Sequence, residues 1–238
     1  MAQGHTPAHS GKSLTIQRLE PFEHRGIAMV SDALDADGRI ADLYSAYHDD
    51  LVPGLGWSAV LEAESFVLVV EDPDAPRETP FLHWLVWNIP GRATAIPAGL
   101  PRTERPDQLP GAVQGLNSAG QPGWFGPKPP PGHGIHHYHF QLFALSGWLD
   151  HLAADTTLEQ LVSALKGMTI ASGERVGTYE RPDPAHDASS PGRTGGYGSN
   201  PYSDTRREES SGRGGLDEDD LDRHAPHTPD GETERHRS

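Results

Sequence analysis

Two acidic residues on a stiff corner and a set of histidines are the side chains in this 238-residue chain best suited to chemistry. In Asp72-Pro73-Asp74-Ala75-Pro76 the prolines fix φ and push Asp72 and Ala75 toward extended geometry. Both carboxylates therefore sit on a rigid turn. His83 follows at the start of an apolar run, and His133, His136, His137 and His139 cluster farther along. Imidazoles can carry positive charge near neutral pH, which suits a phosphoryl group or another small anion. Asp72 would repel such a guest unless it orients an imidazole, stays protonated or meets a cationic group on the ligand, and orientation of a histidine is the favoured part. Amides of the glycine- and proline-rich segment before His136 are expected to donate to the anion, because prolines have no N–H to give.

Other chemistries find less support. There is no cysteine, which excludes disulfides, thiol nucleophiles and thiolate metal sites. His133, His137 and His139 could trap a transition metal, but no physiological metal or other cofactor is expected. The stretch Gly115-Leu116-Asn117-Ser118-Ala119-Gly120 fails the spacing of a nucleophile elbow, since Leu116 stands where a glycine is needed. No catalytic residue is assigned. The run Asp217-Glu218-Asp219-Asp220 lacks the glycine and spacing of a calcium loop. A formal net charge of −15 opposes binding to nucleic acid, and no basic patch interleaved with aromatics offsets it. No segment reads as a secretory signal or a membrane span, so a soluble, cytoplasmic protein without stable membrane insertion is expected.

The elements that must position these residues are mostly strands. Ser65 to Val70 and Leu82 to Ile89 are rich in β-branched and aromatic residues and flank the acidic corner. Strict alternation places His83, Leu85, Trp87 and Ile89 on one face of the second strand, with Leu82, Trp84, Val86 and Asn88 on the other. Ile135 to Leu145 reads as a third strand, with His136, Tyr138, Phe140 and Leu142 on one face. His137 and His139 fall on the opposite face and are expected at the surface. Leu14 to Leu19 alternates like a first strand, Asp35 to Gly38 is a turn, and Met168 to Tyr179 is a last strand. Thr156 or Thr157 with Glu159 or Gln160 forms a capping box for a helix carrying Leu158, Leu161, Val162 and Leu165, closed by Gly167. The long excursion from Pro90 to Pro131 is too long for an ordinary connection and reads as a functional loop or an insertion. Residues 1–13 read as a flexible leader, 14–181 as one folded domain, and 182–238 as an acidic, disordered tail with too few aliphatic residues to fold.

Three stretches carry a family resemblance: Asp72-Pro73-Asp74-Ala75-Pro76 with His83-Trp84 and Asn88-Ile89-Pro90; Gly126-Pro127-Lys128-Pro129-Pro130 with Gly132 and His136-His137-Tyr138; and Val176-Gly177-Thr178-Tyr179-Glu180-Arg181. In order and spacing, over roughly Leu14 to Arg181, the chain resembles the phosphatidylethanolamine-binding proteins, in particular their bacterial Raf-kinase-inhibitor-like branch. The resemblance implies a mainly β fold, an antiparallel Greek-key β-sandwich with one helix in the C-terminal half and short irregular segments. It also implies a small anion-binding pocket lined by Asp72, His83 and His136, with Asp74, Ala75, Pro129, Pro130 and Tyr138 completing the ligand-binding set. Three positions depart from the family pattern. Val52 precedes Pro53 where serine is common, Lys128 stands where bacterial relatives often have cysteine, and His137 replaces a frequent arginine. The function implied is non-catalytic binding of a small phosphorylated or otherwise anionic ligand. A regulated protein partner, such as a kinase or protease, and a homodimer are compatible with it. The alternatives are a hydrolase using Asp72, His83 and His136, and an interaction scaffold whose tail recruits partners while the pocket is vestigial.

Overall fold

The computed structural model describes residues 12–19 and 26–181. The tail expected over 182–238, and the expected leader apart from Lys12 and Ser13, lie outside the described residues. In chain order the elements are a one-turn helix Thr15–Arg18 (α1), Met29–Ser31 (β1), a 3-10 turn at Asp42–Tyr44, Leu55–Trp57 (β2), Ser65–Asp72 (β3), Phe81–Pro90 (β4), Ala95–Ile96 (β5), Val113–Gln114 (β6), His136–Leu145 (β7), Leu158–Leu165 (α2) and Thr169–Tyr179 (β8). The fold is mainly β. Its larger sheet runs β6-β4-β3-β7-β8 and its smaller one β1-β2-β5, with every pairing between these strands antiparallel.

Strand β3 is central, and all of its residues are buried. Such burial suits its run of Phe66, Val67, Leu68, Val69 and Val70, because a strand covered on both faces needs no polar alternation. On one face Phe66, Leu68 and Val70 join Phe140 and Leu142 of β7 in a core that also takes in Met29, Leu55, Trp57 and Ile96 of the smaller sheet. Trp57 meets Phe66 edge to face at 5.5 Å, which ties the two sheets together. On the other face Val67, Val69, Phe143 and Leu145 pack with Leu161 and Leu165 of α2. That helix starts as its sequence indicates: the Thr157 side chain accepts from the Gln160 N–H, and the Gln160 side chain accepts the Thr157 N–H. Gly167 follows it with a left-handed φ of +80°.

Strict alternation fails on β4. Val70 pairs with Trp84 but Glu71 with Leu82, so His83 is an extra residue, and Phe66 pairs with Ile89 but Leu68 with Val86, so Trp87 and Asn88 oppose Val67 alone. These two bulges reset the faces. Trp84, Val86 and Ile89 enter the core between the sheets, whereas Leu82, Leu85 and Trp87 face α2. Asn88 takes a left-handed φ of 55° at the second bulge, and its side chain holds the Leu149 N–H at 2.8 Å.

The strand expected over Leu14 to Leu19 is instead α1 and its flanks. The Thr15 N–H is captured by Glu71 Oε2 at 2.8 Å and the Ile16 N–H by Gln141 Oε1 at 2.7 Å. These side chains take the place of a strand partner and leave the segment to close one helical turn. The excursion after Pro90 is ordered. It contributes β5 and β6 and returns through Trp124, which stacks on Phe140 at 5.9 Å.

Candidate functional site

Asp72 ends β3, and the prolines after it turn the chain so that its carboxylate is used twice. Oδ1 accepts the N–H groups of Asp74 at 2.8 Å and Ala75 at 3.1 Å, which stiffens the corner from within. Oδ2 lies 2.7 Å from Nδ1 of His136 at the start of β7. Asp72 and His136 are only 3% and 1% exposed, so this contact is screened little by water. The carboxylate accepts from Nδ1 and leaves Nε2 on the far side of the ring, 2.7 Å from Nδ1 of the exposed His133. Asp72, His136 and His133 thus form a line from the sheet to the surface.

His83 enters the same region because the β4 bulge turns it toward the core between the sheets. Its ring meets Tyr138 edge-on at 5.0 Å, and its Nδ1 lies 2.5 Å from the carbonyl of Phe125. A carbonyl can only accept, so Nδ1 carries the hydrogen and Nε2 keeps its lone pair. Burial pushes the His83 pKa down to about 4. The Phe125 carbonyl and the charge of Asp72 oppose that shift, and the charge of His136 adds to it. His83 is therefore neutral near pH 7 and does not supply the positive charge expected of it; desolvation outweighs its polar partners. Tyr138 is fully buried, and its hydroxyl has no hydrogen-bond partner among the described residues. Burial first, and then Asp72, push its pKa up, which keeps it a donor.

The rest of the expected set divides. Asp74 is buried and faces His137: Oδ2 accepts the His137 N–H at 2.9 Å and lies 2.8 Å from Nδ1. Ala75 is buried beneath the corner. Pro129 is buried, with its carbonyl accepting the Tyr47 hydroxyl at 2.6 Å, while Pro130 is exposed and its carbonyl accepts the His133 N–H at 3.1 Å. His137 and His139 are not plain surface residues. His137 is half-buried against Asp74, and His139 is 8% exposed with Nδ1 2.9 Å from Glu174 Oε1, because β8 and the acidic corner cover that face of β7. Lys128 is exposed, and its charge acts on Asp50.

Sequence reasoning overlooked the support behind His83. The Gly126 N–H is held by Asp50 Oδ1 at 2.8 Å, and Arg102 pairs with Asp50 at 2.9 Å. A Cβ on Gly126 would stand 2.2 Å from the Tyr44 carbonyl oxygen and 2.8 Å from the Ala46 nitrogen, so only glycine seats this loop against the backbone. The Gly132 N–H donates to the Arg181 carbonyl at 2.9 Å. The amides of Gly126 and Gly132 are thus spent within the protein and are not available as anion donors. Asp50 and Arg102 carry no local motif that marks them. His133 stands three places before His136 but, weighed for metal alone, was not expected to cap it. Among the described residues no group of three or more His, Cys, Asp or Glu side chains is placed to hold a metal ion. No helix among them is long and apolar enough to cross a membrane.

Comparison with known proteins bears on the family and the fold. Residues 30–180 match the family model described as phosphatidylethanolamine-binding protein. A UPF0098 protein of Pyrococcus abyssi is 41% identical over 153 residues, covering 64% of this chain and 84% of that protein. The crystal structure of Escherichia coli YbcL, described as a new member of the mammalian PEBP family, superposes with a TM-score of 0.59 at 30% identity, covering 65% of this chain and 98% of that one. A phosphatidylethanolamine-binding protein homologue from Chlamydia trachomatis gives 0.57 at 35% identity, covering 66% and 98%. With both signature segments meeting at one end of the larger sheet, the chain belongs to the phosphatidylethanolamine-binding protein family.

Proposed function

We propose that this protein binds a small anionic ligand of the phosphoryl head-group type at His136, and does so without catalysis. The observation that carries the reading is the buried contact between Asp72 Oδ2 and His136 Nδ1, which commits the Nδ1 hydrogen to the carboxylate and aims Nε2 away from the sheet, where it donates to an anion in the protonated form of the ring. The hydroxyl of Tyr138, buried without a partner, is a second donor in the same region. His83 has a different part. As a neutral ring with a lone pair on Nε2 it can accept a hydrogen bond, which favours a ligand bearing its own proton, such as a monoprotonated phosphate ester, over a fully ionised one. His133 occupies the outward side of His136 and yields its place when the anion binds.

A hydrolase is the weaker reading. Among the described residues neither His83 nor His136 is hydrogen-bonded to a hydroxyl that it could activate, and Ser118 instead accepts the Leu82 N–H at 2.9 Å. Titration of the full chain with phosphorylethanolamine and with inorganic phosphate, followed by calorimetry and by imidazole NMR signals, tests the proposal. Saturable binding that His136→Ala abolishes is the expected result. Absence of binding to either probe, or binding that His136→Ala leaves unchanged, would overturn it, and turnover of a phosphate ester lost in His83→Ala would favour the hydrolase.

A further inference from the structure

Neighbouring residues of β3 point to opposite faces of the sheet. Asp72 turns toward His136, and Glu71 turns the other way, into a cavity of about 580 Å³ bordered by the segment Lys12 to Arg18, the Glu78–Pro80 loop and the start of α2. That volume lies within the range usual for small-molecule sites. Its floor is Glu71, which is only 1% exposed. Both hydrogen bonds to its carboxylate, from the Thr15 N–H at 2.8 Å and the Gln141 side-chain amide at 2.7 Å, fall on Oε2. Both donors are neutral, and Oε1 has no hydrogen-bond partner among the described residues. No cation is paired with this carboxylate among the described residues.

The cations on the cavity wall are held by groups other than Glu71. Lys12 donates to the carbonyls of Pro73 at 2.8 Å and Ala75 at 2.6 Å, and Arg18 is paired with Glu159. Glu78, by contrast, is exposed on the same wall and has no ion-pair partner among the described residues. Leu82 and Leu158 add apolar surface to the same lining. Glu71, Glu78 and Glu159 against Lys12 and Arg18 leave the lining with one net negative charge, and neither cation makes a salt bridge to Glu71. The chain's formal charge of −15 favours the approach of a cation further.

We infer that this cavity is a second binding site, separate from the one at His136, and that it takes a small aliphatic amine whose ammonium group pairs with Glu71 while its methylene chain lies along Leu82 and Leu158. Charge-assisted hydrogen bonds of this kind are the strong ones. A diamine gains a second pairing at Glu78.

The test is titration of the full chain with cadaverine, with pentanediol as a neutral probe of equal length and glutarate as a probe of opposite charge. Backbone NMR reports the site through the amides of Leu82 and Ser118. Saturable binding of cadaverine alone is expected, weakened about tenfold in Glu71→Gln, which keeps an acceptor for Thr15 and Gln141 but loses the charge. Glu78→Gln, on an exposed side chain that cannot unfold the protein, is expected to weaken it about threefold. His136→Ala is expected to leave it unchanged, so the outcome does not depend on the anion site. Absence of saturable binding, equal binding of pentanediol or glutarate, or cadaverine affinity unmoved by either glutamate variant would overturn the inference. If Glu71→Gln fails to fold, the response of Glu78→Gln decides.

Discussion

Lowering the pH should destabilise this protein through His83, and the size of the effect follows from its burial. The unfolded chain takes up a proton on this histidine near the ordinary value of 6.5, whereas the folded protein resists until about 4. Between those values the unfolded state binds more protons, so stability falls as pH falls through that window and is fully present above it. Each unit of separation is worth about 1.4 kcal/mol, so a drop from about pH 7.5 to about pH 4.5 should remove roughly 2.5 kcal/mol through this group alone. Other groups titrate over the same range, so the measurement is a difference. Urea denaturation of the wild-type chain and of His83→Gln at both pH values gives two losses, and the variant's should be smaller by roughly 2.5 kcal/mol. Glutamine can still donate to the Phe125 carbonyl but has no proton to gain. Parallel losses in the two proteins would refute the reasoning, because they would mean that folding does not hold His83 in its neutral form.

Two substitutions probe the backbone that carries the site. Gly126→Ala places a Cβ against the Tyr44 carbonyl, neither of which can swing aside, and overpacking of this kind should cost about 1–3 kcal/mol in the melting curve. The same displacement should speed hydrogen exchange at His83 Nδ1 by moving the Phe125 carbonyl, and a wild-type exchange rate would show the loop is not its support. At Asn88, whose φ is 55°, alanine should lose about 1–2 kcal/mol to backbone strain beyond the lost bond to Leu149. Asn88→Gly should lose less, and the reverse order in chemical denaturation would show that the bulge geometry does not govern this position.

The parts legible in the sequence are those governed by local rules. Residues 65–70 of β3 could be read because an uninterrupted run of β-branched and aromatic residues between turn formers has few other uses, and α2 because Thr157 and Gln160 satisfy each other's amides within one turn. The illegible parts are set by residues distant in sequence. Six residues at Leu14 to Leu19 fit a strand as well as a helical turn by pattern alone. Glu71 and Gln141 decide between them, more than fifty positions away in each case. The environment of His83 was hidden in the same way. Alternation put it on the same face as Leu85 and Trp87, and only the unmatched pairing against β3 turns it instead toward Tyr138.

Its charge state was hidden too, because a histidine's tendency to carry a proton is a property of its surroundings rather than of its position in a motif. Here the surroundings are supplied by Phe125, by the Gly126 amide beneath Asp50, and by Tyr138 on a different strand. The parity of β3 needs no such context once the strand is seen to run through Asp72. In any strand, adjacent acidic residues must leave by opposite faces, so Glu71 and Asp72 could not both serve the same site. Two carboxylates are buried back to back on the central strand, and each is met differently. Asp72 has an imidazole that can share its charge, and Glu71 has neutral amides on one oxygen only. That asymmetry leaves Glu71 without a salt-bridge partner among the described residues on the α2 side of the sheet, opposite the side on which the signature residues gather.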